Sequence, residues 1–181
     1  MQQASRQSTW DLASKLTSDM LAAVPEGLDV QLVYFRGNGE CVASRWLSDA
    51  ASLSRTMSSI VCRAGITQIG RVLDHARKTN EVQKVGALVL ISDAFEESDA
   101  EIYALARGVG VPVFMFQEGD DPEVAEVYAK IADLTGGAFC KFDSGAASKL
   151  AELLRAVAAF AAGGIKALAD QNSEGARLLL T

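Results

Sequence analysis

From Gly65 onward the sequence alternates short apolar runs with stripes of helical spacing, and this alternation narrows the possible folds more than any other feature. Val85 to Ile91 is a near-continuous apolar run, Pro112 to Phe116 a second and Ala138 to Phe142 a third. A strand that is apolar on both faces needs cover on both, so such runs belong in a sheet between two layers of helices. The intervening stripes are Ile69, Val72, Leu73 and Ala76; Ile102, Leu105 and Ala106; Val124, Val127, Tyr128, Ile131 and Leu134; and Leu150, Leu153, Leu154 and Val157. Their spacing is that of helices with one apolar face. Helix and strand in alternation imply parallel strands joined by right-handed helical crossovers, which is a doubly wound α/β sheet. Val85 to Ile91 is the expected central strand.

Punctuation residues place the element ends. Ser98-Asp-Ala-Glu101 has capping-box spacing, Asp121-Pro122 puts proline at a first helical position, Gly136-Gly137 ends that helix, and Gly163-Gly164 breaks the last one near Ala162. Before Gly65 the pattern differs. Thr9 to Val24 carries Leu12, Leu16, Met20 and Val24 on one helical stripe, and Val30 to Phe35 with Glu40 to Trp46 reads as a hairpin turned by Gly37-Asn38-Gly39. The mixed polarity of its second arm suits an antiparallel edge strand. Ser48 or Asp49 is the expected cap of a helix with Leu53, Met57, Ile60 and Val61 on its apolar face. His75, Arg77 and Lys78 are placed near a helix carboxyl end, where the macrodipole favours cations. The expected domain spans residues 1–168, with a tail at 169–181.

Composition excludes several classes. A chain of 181 residues suits one domain, and a net charge of -6 without a basic stripe argues against nucleic acid as the partner. The three cysteines, Cys41, Cys62 and Cys140, lie far apart and read as reduced thiols. The amino terminus lacks a signal-peptide core and the longest apolar run, Ala156 to Ile165, is too short to span a bilayer, so a cytoplasmic location away from the membrane is expected.

In doubly wound sheets ligands bind at the carboxyl ends of the strands. Asp93 stands there, after the run Leu88 to Ser92, while Thr67 precedes a helix in Gly65-Ile-Thr67-Gln-Ile-Gly70 and Ser5 lies near the start. Here the chain resembles the von Willebrand factor A (VWA) family, whose metal-ion-dependent adhesion site draws a DxSxS or DxTxS motif, a Thr and an Asp from three loops. Gly65 to Leu73 is similar to the family's GxTxxGxxL segment, and Ala87 to Ala94 to its apolar strand with a following Asp. Ser5 to Asp11, the Gln31 to Cys41 hairpin and Phe114 to Gly119 resemble a group of bacterial VWA proteins. The resemblance implies that Ser5 and Thr67 offer hydroxyl oxygens and Asp93 a carboxylate to Mg²⁺ or Mn²⁺, with a position left for a carboxylate from a protein partner. Hard cations of this kind take such oxygen donors. The implied activity is recognition, not catalysis.

The chain also departs from that pattern. With Ser5 as the second hydroxyl of DxSxS, the other positions fall on Gln3 and Met1, and methionine is no ligand for a hard cation. The metal site is therefore expected to be degenerate, with affinity reduced or lost. The family's first strand, which precedes that motif and lies mid-sheet, has no counterpart here. The expectation is an amino-terminal truncation, with an apolar strand ending in Asp encoded upstream of Met1; otherwise the hairpin pairs directly with the central strand, or a partner supplies the strand by β-augmentation.

Other readings stand beside these. Thr67 also suits a helix cap, Asp93 a residue bonded to its own loop, and Ser5 a frayed terminus. Glu96-Glu97 with Asp99, and Glu118 with Asp120 and Asp121, form acidic loops that could crowd the same carboxyl-end rim, and otherwise read as solvated loops and helix caps. His75 is the one histidine, which gives little support to a zinc site or catalytic dyad, and it reads as a surface or dipole-facing residue. Trp10 and Trp46 read as covers of core edges. The alternative function is a magnesium-dependent hydrolase or transferase on a similar sheet, using Asp93.

Overall fold

In the computed structural model the described residues are 28–36, 39–60, 67–142 and 147–180. The expected first helix, Ser5, Trp10, Cys62 and Gly65 lie outside them. The chain forms β1 (Val30–Arg36), β2 (Glu40–Leu47), α1 (Ala50–Ser58), α2 (Ile69–Val82), β3 (Leu88–Ser92), α3 (Asp99–Gly108), β4 (Val113–Glu118), α4 (Pro122–Thr135), β5 (Phe139–Phe142), α5 (Ala147–Asp170) and α6 (Glu174–Leu179).

The strands β3, β4 and β5 make a parallel sheet in that order, Leu88 opposite Val113 and Met115 opposite Phe139. β4 is therefore the strand flanked on both sides among the described residues, and Val113 to Gln117 are all buried. The run ending at Ile91, expected to be central, pairs on one side with β4 among the described residues. That run also enters the sheet late: the Val85 amide donates to Asn80 Oδ1 at 3.0 Å instead of joining a ladder, and pairing begins at Leu88.

Alternation along the strands separates two cores. Phe114, Phe116, Cys140 and Phe142 point to one face, where Leu150, Leu153, Leu154 and Val157 of α5 cover them. Leu90, Val113 and Met115 point to the other, against α2, α3 and α4 through Leu73, Ile102, Val127, Tyr128 and Ile131. Each such aliphatic side chain removed from water contributes on the order of 1.5–3 kcal/mol before the ordering entropy is counted. Helices on both faces of a parallel sheet complete the doubly wound class.

The hairpin is a separate antiparallel ladder with Val30 opposite Leu47 and an irregularity between Gln31 and Val33. Val30 packs on the α5 face and Val33 on the α2 face, so β1 lies between the same two layers as β3. Among the described residues β1 is nevertheless not hydrogen-bonded to β3. Direct pairing of the hairpin with β3, one of the expected arrangements, is not what the chain does. Asp49 supplies the cap of α1, its carboxylate accepting from the Ser52 amide at 2.7 Å, and Leu53 and Met57 are buried. The helix ends at Ser58, so the buried Ile60 follows it instead of lying on it.

α2 runs on to Val82, which leaves no basic residue in its last turn. The dipole reading of Arg77 and Lys78 is replaced by ion pairs along the helix surface, Arg77 with Asp74 and Glu81 and Lys78 with Asp74. His75 is half-buried, its Nε2 2.8 Å from Gln31 Oε1 and 3.3 Å from Thr79 Oγ1, which ties α2 to the hairpin.

α5 breaks at Gly163 and Gly164 as its sequence predicts, Gly164 taking a left-handed φ of 68°, and a second helical stretch follows to Asp170. The carboxyl-terminal leucines form part of α6, capped by Ser173, with Leu179 buried. Gly175 makes that packing possible, since a Cβ there would sit 2.6 Å from the Glu152 carbonyl oxygen. Cys41 and Cys140 are free thiols whose pKa values burial pushes up. Among the described residues no helix is long and apolar enough to cross a membrane.

Candidate functional site at the carboxyl rim of the sheet

At the carboxyl ends of β3 and β4 the chain leaves the sheet in loops 93–98 and 119–121, and the start of α2 stands beside the first of these. Thr67 lies just before α2 and is only 5% exposed. Its amide donates to Glu96 Oε2 at 2.6 Å. The Gly70 amide donates to Glu97 Oε1 at 2.9 Å. A helix start leaves its first amides without carbonyl partners and carries the positive end of the macrodipole, so two carboxylates are well placed there. They arrive from another element because α2 has no cap of its own: Gln68 holds the N-cap position and makes no side-chain cap bond. The reading of Thr67 as the cap is thus not what the geometry shows.

Gly70 is part of the seat. A Cβ at that position would lie 2.8 Å from Glu97 Oε1 and 3.0 Å from Leu105 Cδ1. The absence of a side chain lets the glutamate reach the helix.

The loop that carries these glutamates is anchored beneath. The buried Tyr128 donates from its hydroxyl to the Ala94 carbonyl at 2.8 Å, and Ser92 Oγ donates to the same oxygen at 3.1 Å. Burial pushes the Tyr128 pKa far up; a hydrogen bond with Ser92 opposes this, and the nearby charges of Asp93, Glu96 and Glu97 reinforce it. Tyr128 is therefore a permanent donor. Glu97 is also raised from its ordinary range, first by burial, against the amides of Gly70 and Ile69, and further by Glu96 and Glu101. Opposite Ser92 on β4, the fully buried Gln117 donates from Nε2 to the Asp121 carbonyl at 2.8 Å.

Of the three residues expected as ligands, two lie on segments that meet at this rim. Thr67 and the exposed Asp93 belong to segments that touch through Glu96, while Ser5 lies outside the described residues. Thr67 and Asp93 are hard oxygen donors suited to a small divalent cation. Among the described residues no group of three or more His, Cys, Asp or Glu is close enough to hold a metal ion by itself. The donor set fits only as a partial, hydroxyl-based site. The glutamates, expected as solvated loop or cap residues at this rim, cap α2 from the loop after β3; the one sequence signal for which helix they serve is Gly70, at the second position of that helix.

No protein-family model and no curated protein matches the sequence. The fold is similar to the solved structure of the von Willebrand factor type A from Catenulispora acidiphila, with a TM-score of 0.72 over 88% of this chain and 19% identity. The chain has a von Willebrand factor type A fold. The likeness covers 40% of the length of that protein and carries the fold alone. In this VWA fold the rim just described is the end at which Thr67 and the Asp93 loop meet.

Proposed function

We propose that the chain is a protein-interaction module whose carboxyl rim recognises a carboxylate of a partner, with a divalent cation, Mg²⁺ or Mn²⁺, held by a degenerate site. The reading is carried by the contact between the Thr67 segment and the loop of Asp93, bridged by Glu96 at 2.6 Å, which sets a hydroxyl donor and an exposed carboxylate at one end of the sheet. In the bound form Thr67, Asp93 and Ser5 would hold the ion, which supplies the positive charge that a partner's Asp or Glu requires. The net charge of -6 is consistent with this need, because an acidic surface repels a carboxylate unless a cation stands between them. Binding, not bond-breaking, is the expected activity. The one histidine of the chain is engaged with Gln31 and Thr79, and Tyr128 is held protonated.

Thermal melting with and without millimolar Mg²⁺ or Mn²⁺ tests the reading, since a ligand of the folded state raises its stability by mass action. Wild type should melt higher with the ion, and Thr67→Ala and Asp93→Ala should lose most of that gain. An equal gain in both variants would place the ion elsewhere.

A further inference from the structure

We propose that residues 93–97 form a latch that closes the rim over Thr67, and that release of Glu96 is the step that admits a cation or a partner. The inference rests on the cation reading of this rim and adds its regulation.

The contacts that hold the latch shut come from different elements. Glu96 bonds the Thr67 amide, Glu97 bonds the Gly70 amide, and Tyr128 of α4 fixes the Ala94 carbonyl. The two glutamate bonds join the loop to the start of α2, where Thr67 is buried. The same closure leaves one oxygen poorly served. Glu97 Oε2 is buried with no hydrogen-bond partner, and Glu96 and Glu101 set like charge beside Glu97. A buried polar atom without a partner is unfavourable, so an open arrangement that returns this oxygen to water competes with the closed one. An element held by a few discrete bonds, with a rival state close in free energy, can switch. Opening breaks the Glu96 bond to the Thr67 segment and carries the 93–97 loop away, Asp93 included, so both Thr67 and Asp93 can rearrange around an ion.

The test uses the full chain as wild type, Glu96→Ala and Tyr128→Phe, which loosen the loop from opposite sides. In hydrogen–deuterium exchange, amides 67–70 should exchange on the order of tenfold faster in both variants, with β4 and α4 unchanged. Unchanged exchange at 67–70, or acceleration spread equally through β4, would overturn the latch. Titration with Mn²⁺, followed by paramagnetic resonance, should show roughly tenfold tighter binding in both variants, because a closed state lowers apparent affinity by the open fraction. Where wild type binds Mn²⁺, equal or weaker binding in both variants would also overturn it, and weaker binding in Glu96→Ala alone would make Glu96 a ligand instead of a bar. Local acceleration of exchange with no Mn²⁺ bound by any of the three proteins would support the latch and defeat the cation reading.

Discussion

Glu97 Oε1 lies 2.9 Å from the Gly70 amide, and a side chain on residue 70 would occupy the same place. A glutamate from the loop after β3 and a glycine in the first turn of α2 thus form one structural unit, although 27 positions separate them in sequence. Gly70→Ala separates two opposing effects. Alanine raises helix propensity by about 1 kcal/mol, while losing a charge-assisted bond costs about 1.5–3 kcal/mol. The contact is with the flexible tip of Glu97, so the helix survives and the carboxylate gives way. The expected outcome is a net loss of about 1 kcal/mol, or a drop in Tm of about 2–4 °C. In a Glu97→Ala background the same substitution should be neutral or stabilising, and equal losses in both backgrounds would remove the coupling.

Glu97 also sets a pH dependence. Its folded-state pKa is raised by burial, so ionising Glu97 is less favourable in the native state than in the unfolded chain. Such a group contributes stability fully below its unfolded pKa, and that contribution fades as the pH rises through the raised folded value. The window therefore opens at the ordinary glutamate range and extends upward. Glu97→Gln, which keeps an acceptor for the Gly70 amide and carries no charge, should melt higher than wild type at about pH 8 and close to it at about pH 4. A gain of the same size at both values would assign the effect to packing instead of ionisation.

Much of the fold was legible because local chemistry and burial agree there. The stripes Ile69, Val72, Leu73, Ala76 and Leu150, Leu153, Leu154, Val157 are buried as their spacing requires, and Asp121-Pro122 begins α4. The order of the sheet was harder to read. Val85 to Ile91 and Val113 to Phe116 are equally apolar, and which strand has neighbours on both sides is fixed by long-range pairing that no local pattern carries. His75 was misplaced because its partner, Gln31, belongs to the hairpin. At the rim, Thr67 and Asp93 are singled out only through a resemblance in motif, and the sequence offers Glu96 and Glu97 as loop or cap residues without naming the helix whose amides they bond. Their partners are backbone amides, which every residue possesses, so residue type gives no sign of them.

Asp121 gives a contrast with that borrowed cap, because α4 carries its own. Asp121 Oδ1 accepts from the Glu123 amide at 2.9 Å and from Val124 at 3.4 Å. Asp121→Ala should cost about 1 kcal/mol in urea unfolding, and Asp121→Asn much less, since an amide oxygen accepts the same bonds. The Gln117 contact is to the Asp121 main chain and survives both substitutions. Equal losses in the two variants would attribute the effect to charge, not to the cap.

The turn between α4 and β5 holds two glycines with different requirements. Gly136 ends the helix at φ 70° with open space where a side chain would stand, so Gly136→Ala meets only the backbone preference against left-handed φ, about 1 kcal/mol. Gly136→Asn, a residue that tolerates this conformation, should lose less. Gly137 has an ordinary φ but no room, because a Cβ there would overlap the Val113 carbonyl on β4. That neighbour is backbone in the buried strand of the sheet and cannot turn aside, so β5 must shift against β4 and strain the Met115 to Ala138 hydrogen bond. Gly137→Ala should therefore cost at least about 3 kcal/mol, several times the loss at its neighbour. Urea unfolding of the two alanine variants side by side decides the matter: similar midpoints would mean that the close approach of β5 to β4 is not what residue 137 protects.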